Sequence, residues 1–107
     1  MDLHCRPLQV GDMPALVLEG ELDLSSIPVL HHALLRLIAD EAGRTVAVDL
    51  DGLHALDDAG LGVLLGAAGR ARERGGDLVL VCTDLRMLER FERSGLARAL
   101  EVRDRLG

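Results

Sequence analysis

The sequence predicts one α/β domain, a mixed β-sheet of about four to five strands packed against helices. Three observations carry this expectation. The chain has 107 residues, the size of one ordinary domain. Short apolar runs, "PALVLEG", "RTVAVDL" and "DLVLV", alternate with segments of helical period. Strand–helix–strand repeats of this kind imply parallel neighbours joined by right-handed crossovers. At 49% hydrophobic and 28% charged, the composition supports a buried core. Phe91 is the one aromatic residue, so the core must be built from Leu, Val, Ile and Ala.

Each element follows in order. Residues 1–10 alternate, with Leu3 and Cys5 on one face and His4 and Arg6 on the other. That pattern is a half-exposed strand, and Pro7 marks it as an edge. "VGDM" is a turn. "PALVLEG" (14–20) is continuously apolar and reads as a strand covered on both faces. The two strands form a hairpin joined at Gly11-Asp12. A helix lies in "ELDLSSIPVLHHALLRLIADEAG". Ser25 or Ser26 caps it, Pro28 fits its first turn, and Gly43 ends it. Leu30, Leu34, Leu37 and Ile38 form its apolar stripe. "RTVAVDL" (44–50) is a second buried strand, and "DGLHAL" is a connector. Residues 59–74 are helical and Gly75-Gly76 stops them. "DLVLV" (77–81) is a third buried strand. Thr83 or Asp84 caps a third helix carrying Leu85, Leu88 and Phe91, closed by Gly95. The tail holds one short alternating piece, "ALEV", a candidate final strand. No repeat or linker divides residues 1–107, which read as one domain.

The net charge of −6 argues against a polyanion partner and favours a partner with a basic patch. All twelve basic residues are arginine. The absence of lysine excludes Schiff-base chemistry and a phosphate-loop lysine. A nucleic-acid surface that stacks bases on aromatic rings is excluded by composition. Cys5 and Cys82 form no CxxC pair or zinc spacing and read as small buried thiols in a reducing cytosol. No apolar run approaches the ~20 residues of a membrane span. "MDLHCRPLQV" has neither a basic start nor an apolar signal core. The expectation is a cytoplasmic protein with no cofactor, no metal, and neither nucleic acid nor membrane as partner.

The chemistry concentrates in "LDDAGLGVLLGAAGRARERGG". Leu61, Leu64, Leu65 and Ala68 recur at helical spacing and form the expected buried stripe. Gly62, Gly66, Gly69 and Glu73 follow the same spacing on a different face. Each mid-helix glycine costs about 1 kcal/mol relative to alanine. Either these glycines let the helix lie close on its own sheet, or they smooth an outer face for a partner. Asp57 and Asp58 precede the helix, where a carboxylate accepts backbone N–H groups and meets the positive helix end. One aspartate suffices for that, so the pair asks for a further role.

Other polar groups carry less. His31 and His32 are adjacent, point about 100° apart on a helix, and do not chelate together. His54 lies near the aspartates, but in the connector. Asp49 in "DLDG" invites a receiver-like reading as an aspartate phosphoacceptor at a strand end. Receiver domains use a lysine on a late strand, and this chain has none. No nucleophile–base pair, glycine-rich phosphate cradle or metal triad is present, so no catalytic residue is assigned.

"GELD" (20–23), "VAVDLDGL" (46–53) and "LDDAGLGVLLGAAGRARERGGDLVLV" (56–81) together resemble the STAS domains of the bacterial anti-sigma factor antagonists. "SGLARAL" matches that family's closing segment. The resemblance covers nearly the whole chain. It implies an α/β sandwich that binds an anti-sigma factor, itself a serine kinase of the histidine-kinase-like ATPase type, and so frees a sigma factor. The family's kinase phosphorylates a serine at the start of the second helix, in a stretch that usually reads Asp-Ser-Ser/Thr-Gly-Leu. Here it reads Asp57-Asp58-Ala59-Gly60-Leu61. Asp58 therefore falls on the phosphoacceptor position, and Ala59 replaces the next hydroxyl residue. The resemblance implies a non-enzymatic module whose partner-binding residues are Glu21, Asp23, Asp57, Asp58, Ala59, Gly60, Leu61, Gly62 and Gly66. A homodimer, and a STAS module scaffolding a different signalling complex, stay open.

Overall fold

The computed structural model describes residues 2–106. Strands β1 (Leu3–Val10), β2 (Met13–Leu22), β3 (Thr45–Leu56), β4 (Asp77–Val81) and β5 (Glu101–Arg103) form one sheet in the order β1-β2-β3-β4-β5. Only β1 is antiparallel to its neighbour; β2 to β5 run parallel. Helices α1 (Ile27–Asp40), α2 (Asp58–Glu73), α3 (Leu85–Ser94) and α4 (Leu96–Ala99) fill the crossovers. A strand order that follows the chain, with crossovers of one hand, puts every helix on the same face of the sheet. The expected α/β class, mixed sheet and strand number are all present. Among the described residues no helix is long and apolar enough to cross a membrane.

The β1–β2 hairpin pairs Val10 with Met13 across Gly11-Asp12, and Gly11 supplies the positive φ of 58° that this two-residue turn requires. Toward the helices, Leu16, Leu18 and Leu22 of β2, Val46, Val48 and Leu50 of β3, and Leu78 and Leu80 of β4 meet Leu30, Leu34 and Ile38 of α1, Leu64 of α2, Phe91 and Leu96. The opposite face carries a smaller cluster of Ala15, Ala47, Val79 and Val81, against which Met13 and Leu106 pack. The central strands are thus covered on both faces, as their unbroken apolar runs required.

Three expectations change. "DGLHAL" is no connector: β3 continues through it to Leu56. Two register irregularities against β2 make this workable, one between Val17 and Glu19 and one between Gly20 and Glu21. An added residue flips the side-chain alternation, so Leu53 and Leu56 rejoin the core that Leu50 faced. At the first irregularity the chains come close, because a Cβ on Gly52 would lie 2.6 Å from the Leu18 carbonyl oxygen. The cap before α1 also differs. Asp23, not a serine, does the capping: its carboxylate accepts the N–H groups of Ser25 and Ser26 around a 3₁₀ turn over Leu24–Ser26. Ser26 precedes α1 but makes no side-chain cap bond there. Lastly, Leu65 and Leu85, assigned to apolar stripes, are 40% and 76% exposed.

Candidate functional site

The site forms at the carboxyl end of β2 and β3, where α1 and α2 begin. Leu22 and Leu56 close the β2–β3 ladder, and the Asp57 N–H donates to the Leu22 carbonyl at 3.1 Å. This bond sets the start of α2 directly over the last strand pair. Asp57 is the N-cap, its Oδ1 accepting the Gly60 N–H at 3.1 Å. One aspartate therefore satisfies the helix end, as capping chemistry expects.

Asp58 is left for something else. It is the first residue of α2, and its side chain is 91% exposed. Its Oδ1 meets Nη2 of Arg90 at 2.6 Å. The other terminal nitrogen of Arg90 donates to the Leu56 carbonyl. Arg90 thus reaches from α3 to clasp the entrance of α2, one end anchored on backbone and the other on Asp58. An ion pair this exposed contributes little stability, about 0.2–1 kcal/mol. Its consequence is electrostatic: the charge at position 58 faces a fixed guanidinium. Sequence reasoning missed Arg90, because a contact across 32 positions leaves no local pattern.

The acidic turn before α1 lies beside this entrance. Asp23 is tied down by Ser25 and Ser26, with the Ser25 hydroxyl donating to Oδ1 at 2.7 Å. That hydroxyl, followed by the turn's other hydrogen bonds, holds the Asp23 carboxyl below its usual range despite some desolvation. Ser26 is buried; its hydroxyl donates to the Glu21 carbonyl at 3.0 Å and accepts the Asp23 N–H at 3.0 Å. Glu21 is half-buried at the end of β2.

The glycines of α2 divide into two sets. At Gly62, Gly66 and Gly69 an added Cβ would meet nothing within 4 Å. These three face outward with exposed Leu65, so close packing on the sheet is not their purpose. Gly62 and Gly66, with Ala59, line a groove of about 350 Å³ whose other wall is His31, Leu34 and Leu35 of α1; Arg70 closes its far end. Gly60 is the opposite case. A Cβ there would lie 2.6 and 2.7 Å from the Leu22 side chain and 3.2 Å from Leu56. Gly60 and Leu61 are buried and offer a partner no side-chain surface, which corrects their place among the contact residues. Gly60→Ala is expected to destabilise the fold by about 1–3 kcal/mol through overpacking, outweighing the helix-propensity gain of about 1 kcal/mol. A denaturant titration checks this, and unchanged stability would mean that Leu22 has room to shift.

The remaining candidates separate. His31 lines the α1–α2 groove, while His32 lines a different groove against β1, so the two rings serve no common site. Asp49 sits within β3 rather than at its end, and its Oδ1 accepts the Asp51 N–H at 2.9 Å. Cys5 and Cys82 are both free thiols, raised in pKa chiefly by burial.

The model of the family "Mlab, STAS domain" matches residues 5–103. An anti-sigma-B factor antagonist from Listeria monocytogenes is 32% identical over 85 residues, which is 79% of this chain and 74% of the relative. This chain belongs to the STAS family of anti-sigma factor antagonists. Its fold agrees: an anti-sigma factor antagonist from Mycobacterium paratuberculosis superposes on the STAS domain with a TM-score of 0.80 at 20% identity, covering 97% of this chain and 87% of that one. The Bacillus cell fate determinant SpoIIAA, in its phosphorylated form, superposes with a TM-score of 0.69 at 22% identity over 92% and 90% of the two chains.

Proposed function

We propose that this STAS domain is a non-enzymatic partner-switching module that binds an anti-sigma factor of the serine-kinase type and so controls release of a sigma factor. The contact surface in this reading is the entrance of α2 (Asp57, Asp58, Ala59), the acidic turn at Glu21 and Asp23, and the groove wall at Gly62 and Gly66. Asp58 stands where the family's switchable serine would be. The observation that carries this is the division of labour between the two aspartates. Asp57 caps the helix, whereas Asp58 projects 91% exposed next to Ala59, which lines the α1–α2 groove with Gly62 and Gly66. A helix needs no second acid there.

The chemistry defines two states. A phosphoserine at a helix entrance would carry about −1.5 to −2 charges, and aspartate carries about one on a shorter arm. Asp58 is therefore a permanent, incomplete copy of the phosphorylated state, partly neutralised by Arg90. The double variant Asp58→Ser, Ala59→Ser should fold with a loss of about 1 kcal/mol or less, because Asp57 still caps and only a dipole contact and an exposed ion pair are lost. Calorimetry against the anti-sigma kinase of the source cell should show the variant binding about tenfold more tightly, the effect of removing one unfavourable unit charge from the contact. With ATP, mass spectrometry should find phosphate on the introduced serine of the double variant and none at position 58 of the natural protein, and phosphorylation should release the variant. Equal, tight binding by both proteins would leave Asp58 as a plain surface charge in an unregulated binder. No binding by either would remove the anti-sigma reading.

A further inference from the structure

Next to the α2 entrance, on the α3 side, lies a second concavity. It holds about 200 Å³, and its lining includes Leu53, His54, Asp84, Arg86, Met87 and Arg90. It sits at the carboxyl edge of the parallel strands, where the chain leaves β3 and β4. Its lining is basic in a protein of net charge −6. Arg86 and Arg90 are four residues apart on α3, so the two guanidinium-bearing stems are neighbours of like charge. Arg90 has a counter-ion in Asp58. Arg86 has none: among the described residues its guanidinium and the His54 ring make no hydrogen bond or ion pair. Asp84, also in the lining, forms no ion pair with Arg86; its Oδ1 accepts the N–H groups of Arg86 and Met87 at 2.9 and 3.2 Å as the cap of α3. The pocket thus presents two arginines and a histidine against two carboxylates, Asp58 on Arg90 and Asp84 in the lining, and Arg90 is held in place by the Leu56 carbonyl.

From this we infer that the Arg86–Arg90–His54 pocket binds a small dianion of phosphate type, either free phosphate or a phosphomonoester. Paired arginine forks match the oxygens of such a group, and the volume suits a small anion rather than a nucleotide. The ligand would compete with Asp58 for Arg90. Occupancy would then free the Asp58 carboxylate from its clasp and change the charge presented at the α2 entrance. This inference rests on the pocket and not on the identity of any protein partner.

Nuclear magnetic resonance titration of the full chain tests it, with inorganic phosphate in one arm and O-phosphoserine in the other, at ionic strength matched with sodium chloride. The amides of His54, Arg86 and Met87 should shift and saturate at about millimolar ligand. Tighter binding of O-phosphoserine would identify a phosphomonoester as the ligand; tighter binding of inorganic phosphate would identify the free anion. Arg86→Met and Arg90→Met should each abolish saturation. Arg86 is exposed and without a partner, so its variant keeps the fold even if loss of the Arg90 clasp loosens α3. Asp58→Asn should bind about fivefold more tightly, the factor for one unit charge a few ångströms away in water. Shifts that rise linearly without saturating in the natural protein and in Asp58→Asn, or that persist in both arginine variants, would overturn the proposal.

Discussion

Replacing Phe91 with alanine is expected to lower the unfolding free energy by about 3–5 kcal/mol, the usual range for emptying a buried aromatic site. Phe91 is the largest side chain in the core and is fully buried, on the one face that α3 turns inward. The core around it is aliphatic, so no second aromatic can swing in to fill the void. Domains of this size have about 5–15 kcal/mol in total, and the variant would lose a large part of that. The midpoint of thermal unfolding should fall by about 12–25 °C. Phe91→Leu keeps most of the volume and should lose clearly less. A loss under about 1 kcal/mol for the alanine variant would show that α3 collapses onto the sheet and fills the site. The consequence reaches the functional end too, because α3 carries Arg90, the residue that clasps Asp58. A loosened α3 should free Asp58 before the sheet itself fails.

What the sequence revealed, and what it hid, follows the range of the physics involved. Strands β1, β2 and β4 and the three long helices were legible because each has a local period or cap: alternation around Pro7, the glycine turn at Gly11, the Asp84 cap, the left-handed Gly95 after α3. The extension of β3 was hidden because its irregularities break the two-residue alternation, and Asp51-Gly52 looks like a turn when its pairing with β2 cannot be seen. Leu65 was misplaced for a related reason. A stripe of 61, 64, 65 and 68 and a stripe of 61, 64, 67 and 68 both have helical spacing, and only the packed helix selects Ala67 over Leu65. Small residues there let α2 sit close to the sheet, and the larger leucine is turned outward.

The site was legible in part. The paired aspartates announced a surplus charge, and the geometry divides the two roles between Asp57 and Asp58. Of the two readings of the α2 glycines, steric room removes close packing on the sheet for Gly62, Gly66 and Gly69, which face open space, while Gly60 packs against Leu22. Arg90 and the basic pocket stayed hidden because they join α3 to the ends of β3 and α2, a contact only the tertiary fold makes.

Gly66→Arg should separate stability from partner binding. Nothing lies within 4 Å of a Cβ at position 66, and arginine is a far better helix former than glycine. The variant should therefore fold as well as the natural protein or gain up to about 1 kcal/mol. Binding should respond in the opposite sense. Gly66 lines the α1–α2 groove opposite Leu34 and Leu35, and a long charged side chain there would fill the groove and hold a docked partner away. Loss of a well-buried contact at the centre of an interface costs about 2 kcal/mol or more, so affinity for the proposed anti-sigma partner should drop by about thirtyfold or more. Gly69→Arg is the control. Gly69 shares the exposed face and the steric freedom of Gly66 but does not line the groove, so its variant should gain similar stability and keep most of the affinity. Equal affinity losses at the two positions would move the docking surface from the groove to the whole outer face of α2. Unchanged affinity at both would mean that three helix-weakening glycines, together about 3 kcal/mol of lost propensity, serve something other than docking.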